Sequence, residues 1–142
     1  MGFSLVSASA IIGVAVLISI ELLVSTTIPT ITEINDSYDD MKNRSIDQFQ
    51  TDINITSTTT GANGPNYDLN FTLENTGSIS LDTRNFNVLI DGIDQSFTCN
   101  LTYLFPENAA SFNLTNLQGS GTARLKVVTE NGISDYIEYN VP

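Results

Sequence analysis

Residues 67–75 read YDLNFTLEN, where Tyr67, Leu69, Phe71 and Leu73 alternate with Asp68, Asn70, Thr72 and Glu74. A period of two puts the apolar side chains on one side of an extended chain and the polar ones on the other, as in a half-buried strand. The alternation recurs at Ile53/Ile55, Phe86/Val88/Ile90, Phe97/Cys99/Leu101, Phe112/Leu114, Leu125/Val127 and Ile137/Tyr139/Val141, so seven short strands are predicted. Turn residues separate them at 61–65, 75–77, 91–92, 106–108, 119–121 and 131–132. Asp91-Gly92 and Asn131-Gly132 suit two-residue type I′ hairpins, because both central residues of that turn need positive φ. Short, evenly spaced strands with such turns predict an all-β antiparallel immunoglobulin-like sandwich over residues 51–142. The chain has no Trp and one Cys, so the Cys–Trp–Cys signature of antibody domains is absent and the likeness is architectural. Cys99 is expected to turn inward with Phe97 and Leu101 as a buried structural thiol.

Upstream, residues 31–50 (ITEINDSYDDMKNRSIDQFQ) lose the period of two. Ile31, Ile34, Tyr38 and Met41 fall at heptad-like spacings, but Ser45 and Gln48 take the next two places, which suits a polar helical stalk rather than a coiled coil. Glu33, Asp36, Asp39 and Asp40 lack any calcium-loop spacing and read as a solvated face. Pro29 is expected to end or kink the helix before the stalk.

Residues 1–30 form the third region. From Leu5 to Ile28 the chain reads LVSASAIIGVAVLISIELLVSTTI. As helix this run measures roughly 36 Å, against about 30 Å of hydrocarbon. Leu5, Ile11, Ile12, Val16, Leu17, Ile20, Leu22 and Leu23 are the residues expected to face lipid. A cleaved secretory signal has a basic start and small residues after its core; here Ala8-Ser9-Ala10 comes before the core, which favours a retained anchor. No Lys or Arg precedes Lys42, so the positive-inside rule is almost silent. The strongly polar remainder, with fifteen carboxylates against five cations, is the part expected outside, with the N-terminus in the cytoplasm. Glu21 is the single charge within the run. Near the outer interface it could snorkel; deeper, it would contact an intramembrane partner, with Ser9 and Gly13, four apart, permitting close helix approach.

The 142 residues carry a net charge of −11, which opposes binding to nucleic acid or anionic headgroups. Without His or paired Cys there is no ordinary base or zinc set, so no enzyme activity, metal or cofactor is expected. Six Asn-X-Ser/Thr sequons occur, at Asn35, Asn43, Asn54, Asn70, Asn100 and Asn113, all beyond the apolar run. An Asn/Thr-rich outer strand face generates such triplets without selection for glycans, while export would make them glycosylation candidates.

The opening MGFS with its immediate apolar helix, the short stalk, and then LNFTLENTGSISLD, NVLIDG, YLFPENAASFNLTNL and RLKVVTENGISDY together resemble the archaellum-associated F protein family of archaea. The closing hairpin is also similar to the sister G protein of the same machine. The resemblance covers nearly the whole chain. It implies a membrane-anchored stator whose immunoglobulin-like domain lies in the pseudoperiplasm and binds the S-layer protein, holding the rotary motor. It also implies homodimerisation, the archaellum G protein and motor membrane components as partners, and no catalytic residues. The rival reading is an archaellin- or pilin-like filament subunit whose N-terminal helix packs in a fibre core. Gly2-Phe3 resembles a processed pilin junction, although basic leader residues are missing and Ser7 stands where bacterial pilins carry their early Glu. A generic membrane-tethered binding domain is the third reading.

Overall fold

The computed structural model describes residues 2–142. One helix, α1, spans Gly2–Gln50, and ten strands follow among the described residues. They are β1 (Ile53–Asn63), β2 (Asn66–Asn75), β3 (Leu81–Asp82), β4 (Asn87–Ile90), β5 (Ile93–Gln95), β6 (Thr98–Cys99), β7 (Tyr103–Leu104), β8 (Ala109–Leu117), β9 (Thr122–Val128) and β10 (Ser134–Asn140). The chain divides into two compact units, the second running from Arg44 to Pro142.

Within that second unit, alternation drives the fold. One sheet has the order β1-β2-β8-β6 and the other β10-β9-β4-β5, with every pairing antiparallel. This is the A-B-E-D against G-F-C arrangement of immunoglobulin-like sandwiches, with one extra short edge strand beside C. Leu69, Phe71, Leu73, Phe112 and Leu114 project inward from the first sheet and meet Val88, Leu125 and Val127 of the second. Phe112 is the hub, its ring stacking on Phe71 at 4.9 Å and on Phe86 at 6.1 Å while Phe97 tilts against it at 5.5 Å. Each large apolar side chain buried this way stabilises the fold by roughly 1.5–3 kcal/mol. Leu81 and Leu104, both fully buried, pair across β3 and β7.

The end of α1 is tied to one pole of the sandwich, entirely inside the second unit. Ser78 N donates to Gln50 O at 2.8 Å, and Thr76 N and Gly77 N both donate to Asp52 O at 3.0 Å. Opposite, Gln48 Nε2 donates to Asn131 O at 3.1 Å and Asn131 Nδ2 donates to Thr51 Oγ1 at 2.8 Å. Thr51 in turn donates from its hydroxyl to Asp47 O at 2.6 Å. Helix ends leave carbonyls without intrahelical donors. Here the 75–78 turn supplies one to Gln50 O and the Thr51 hydroxyl supplies another to Asp47 O, while the 129–133 turn accepts from the Gln48 side chain.

Three expectations meet corrections. The helix does not end at Pro29; it continues through Pro29 to Gln50. The missing proline N–H costs one hydrogen bond, and the helix carries on across it even though Thr26, Thr27, Ile28, Thr30, Ile31 and Thr32 around it are β-branched. Asp91-Gly92 forms the expected I′ hairpin, with φ of 49° and 84° and Ile90 paired to Ile93. Asn131-Gly132 does not: only Gly132 has positive φ, at 81°, and Gly132 N donates to Thr129 O while Thr129 N donates to Ile133 O, which makes a longer loop. Finally, the strand expected over 97–101 shrinks to β6. Phe97 and Cys99 do turn inward and pack against the core, Cys99 half-buried rather than buried, whereas Leu101 is 39% exposed and lies outside it. Thr83 Oγ1 donates to Leu101 O at 2.6 Å and to Thr102 O at 3.1 Å, pulling this stretch away from β8 so that Leu104 fills the core instead.

Candidate functional site

Along α1 none of the described residues is buried. Leu5, Ile11, Ile12, Val16, Leu17, Ile20, Leu22 and Leu23 are exposed, and at roughly 100° per residue they point all round the axis rather than along one stripe. A helix that is apolar on every side is made for a nonaqueous surround. Length and composition suffice for α1 to cross a membrane. Its hydroxyls are satisfied locally: Ser7, Ser19, Thr26 and Thr30 donate to carbonyls four residues earlier, at 2.7–2.9 Å. Ser9 donates to Val6 O at 2.9 Å. Such back-bonding removes the cost of carrying a hydroxyl into hydrocarbon. Ser9 and Gly13 share one face of the helix, but Glu21 lies roughly 80–120° round from them. The helix therefore does not bring the three proposed intramembrane contact residues onto one line.

On the sandwich, three of the sequon asparagines lie on the outward face of the first sheet: Asn54 on β1, Asn70 on β2 and Asn113 on β8. Asn100 follows β6 at the edge of that sheet, and Asn35 and Asn43 are on α1. Asn70 and Asn113 are directly opposite one another in the β2–β8 register. The outward face of the second sheet carries no sequon. It holds an open groove of about 620 Å³ lined by Leu89, Asp91, Gly92, Arg124, Lys126 and Glu138, among others. There Arg124 pairs with Glu138 at 3.0 Å and lies over the exposed Tyr136 ring at 5.3 Å, while its backbone N–H donates to Asp91 Oδ1 at 2.9 Å.

Sequence reasoning missed several polar contacts. Arg84 forks onto Asp82 at 2.9 and 2.6 Å and sits over Tyr103 at 5.7 Å. The hydrogen bonds from Arg84 hold the Asp82 carboxyl below the usual carboxylate range. Asp68 is held low as well, chiefly by the Asn116 backbone N–H at 2.9 Å and then by Asn63 Nδ2 at 3.1 Å. Tyr67 and Tyr139 share a buried hydroxyl contact of 2.8 Å, and burial followed by that bond pushes the Tyr139 hydroxyl well up. Buried Asn75 donates to Ile79 O at 2.7 Å and to Leu104 O at 3.0 Å, and accepts from Gly77 N at 3.0 Å. A lone Asn in a strand-ending Asn-Thr-Gly triplet was the one visible signal for that cluster.

No family model and no curated protein matches the sequence. Among solved structures, the chain is similar to the archaellum periplasmic stator protein FlaG from Sulfolobus acidocaldarius, with a TM-score of 0.53 and 18% identity, covering 63% of this chain and 99% of that one. A chain in the structure of the human cytomegalovirus protein US2 bound to the MHC class I molecule HLA-A2/tax matches at a TM-score of 0.42 and 13% identity, covering 63% and 97%. The FlaG likeness shows a shared fold, the immunoglobulin-like sandwich.

Proposed function

We propose that this chain is a membrane-anchored structural component of the archaellum, an F-type stator subunit with the G type as its nearest alternative. The observation that carries the reading is the combination of an exposed helix, apolar on all sides, with a sandwich that shares the fold of an archaellum stator protein. In this reading α1 is the single-pass anchor, with the N-terminus in the cytoplasm and the sandwich in the pseudoperiplasm. The sandwich grips the S-layer protein and so holds the motor against torque. Homodimerisation, the archaellum G protein and the motor's membrane components complete the proposed assembly. The role is mechanical and requires no enzyme chemistry and no cofactor. Individual grips can be modest, since many copies round one motor share the load through avidity.

The test uses the full chain in mild detergent, mixed with S-layer isolated from the same cells. Co-sedimentation is expected. No binding at either acidic or neutral pH would remove the S-layer role. An apolar helix also suits a fibre core, which keeps the filament-subunit reading in play. Terminal sequencing of the protein from cells separates the two: Met1 or Gly2 at the start supports the anchor, and Phe3 supports the filament.

A further inference from the structure

We infer that N-linked glycans sit on Asn70 and Asn54, on the outward face of the first sheet, and that the other four sequons stay bare. The inference rests on the exported placement proposed above. A transferase reads the Asn carboxamide and the Ser/Thr hydroxyl two residues later together, so both must reach the same side of the chain. In a regular strand they do, as at Asn70 and Thr72. At Asn54 a β-bulge falls on Thr56, whose hydroxyl donates to Thr72 O at 3.3 Å, yet Asn54 and Thr56 are both exposed. On a helix they lie roughly 200° apart, which disfavours Asn35 and Asn43 on α1.

The four sandwich sequons then separate by what surrounds each carboxamide. Asn54 and Asn70 are exposed, and neither side chain makes a hydrogen bond among the described residues. Asn100 is committed: its Oδ1 accepts from Ser111 N at 2.8 Å, which pins the side chain against β8. Asn113 is half-buried, and its Oδ1 is shut from solvent without a hydrogen-bond partner, beside a small pocket lined by Ser96, Phe97, Thr98 and Thr115. With its oxygen turned out of solvent, this carboxamide is not presented as freely as those of Asn54 and Asn70. Directly opposite residues on neighbouring strands have Cβ atoms only about 5 Å apart, so a glycan on Asn70 also covers Asn113. Asn54 is opposite Glu74, four residues along β2 from Asn70, or roughly 13 Å, which leaves space for a second glycan.

Chemically, Asn Nδ2 attacks the anomeric carbon of an oligosaccharide carried on a lipid phosphate. The C1–N bond forms, the C1–O bond to the lipid phosphate breaks, and Nδ2 gives up one proton as the lipid phosphate leaves. The consequence is a sandwich with one sugar-covered face and one bare face, the bare one bearing Arg124, Lys126 and Tyr136.

Trypsin sorts the alternatives, because cleavage at Arg44, Arg84 and Arg124 puts Asn54 and Asn70 on fragment 45–84 and Asn100 and Asn113 on fragment 85–124. Mass spectrometry of the full chain from its native cells should find two glycans on 45–84 and none on 85–124 or on the helix fragments. Asn70→Gln and Asn54→Gln should each remove one glycan from 45–84. Any glycan elsewhere, or fewer than two on 45–84, overturns the assignment. Protease added to intact cells tests the placement separately: a sandwich that is digested yet carries no sugar sinks this inference alone, whereas a protected, sugar-free sandwich sinks the exported placement with it.

Discussion

Replacing Gly77 with alanine should loosen the tie between the end of α1 and the sandwich, because there is no room there for a Cβ. Built on the backbone, that atom falls 2.4 Å from Gln50 O, 2.6 Å from Asp52 N and 3.2 Å from Thr51 C. All three neighbours are backbone, so relief requires moving the 75–78 turn or the 50–52 segment rather than rotating a side chain. Either movement lengthens the bonds from Thr76 N, Gly77 N and Ser78 N to Asp52 O and Gln50 O. At about 0.5–1.5 kcal/mol for each net hydrogen bond, losing the three destabilises by roughly 3 kcal/mol. Alanine's smaller unfolded-state entropy returns about 0.4–1 kcal/mol of that. A net loss of roughly 2 kcal/mol lowers the Tm of a unit this size by about 8–16 °C. The assay is far-UV circular dichroism of the full chain in detergent during heating, with limited proteolysis to show cutting near Asp52. Gly61→Ala is the control, since nothing stands within 4 Å of its added Cβ. A Gly77→Ala chain that melts within about 2 °C of wild type and resists cutting near Asp52 would refute the reasoning.

Two further expectations concern buried polar groups. Tyr139→Phe leaves the Tyr67 hydroxyl buried without its 2.8 Å partner and should cost about 1–3 kcal/mol, whereas Tyr67→Phe/Tyr139→Phe together should be closer to neutral; equal losses in single and double variants would contradict this. The same pair sets an alkaline limit. The folded chain raises the Tyr139 pKa above its ordinary 10, so this contribution is fully present below pH 10 and is lost as pH rises beyond it, and Tyr139→Phe should flatten the alkaline fall in urea midpoint. Asn75→Ala removes three hydrogen bonds at a fully buried position and should destabilise by about 3 kcal/mol in urea titration; a loss below about 1 kcal/mol would mean that the surrounding turns do not depend on it.

The sandwich was readable because alternation is local. Tyr67 to Leu73 declares one buried face within a single strand, and the structure buries all four of its apolar residues. Asp91-Gly92 was readable for the same reason, since its I′ geometry is set by the two residues themselves. Asn131-Gly132 carries an equally strong local signal and fails. Asn131 is drawn away from the φ > 0 region by nonlocal partners: its carbonyl accepts from Gln48 and its carboxamide donates to Thr51 across 80 positions of sequence. A tertiary contact of that separation leaves no periodic trace.

The same limit explains why strand edges and the candidate sites were less legible than the core. Alternation at Phe97, Cys99 and Leu101 predicted an inward face, and Phe97 and Cys99 take it. But β6 is an edge strand pairing with β8 at only Thr98 and Cys99, and past it the Thr83 hydroxyl holds Leu101 O while the Leu101 side chain stays exposed. An edge strand has one ladder to hold it, so a single side-chain bond can compete with its register. The sequons show the point at the level of function. Asn70 and Asn113 read alike in sequence, each an Asn between inward-facing apolar residues with Thr two places on. What separates them is that Asn70 lies in a wide outward face while Asn113 is crowded by Thr98 and Phe97 from the neighbouring edge. Strand pairing, which no triplet encodes, sets how exposed each carboxamide is, and the proposed glycan assignment rests on that difference.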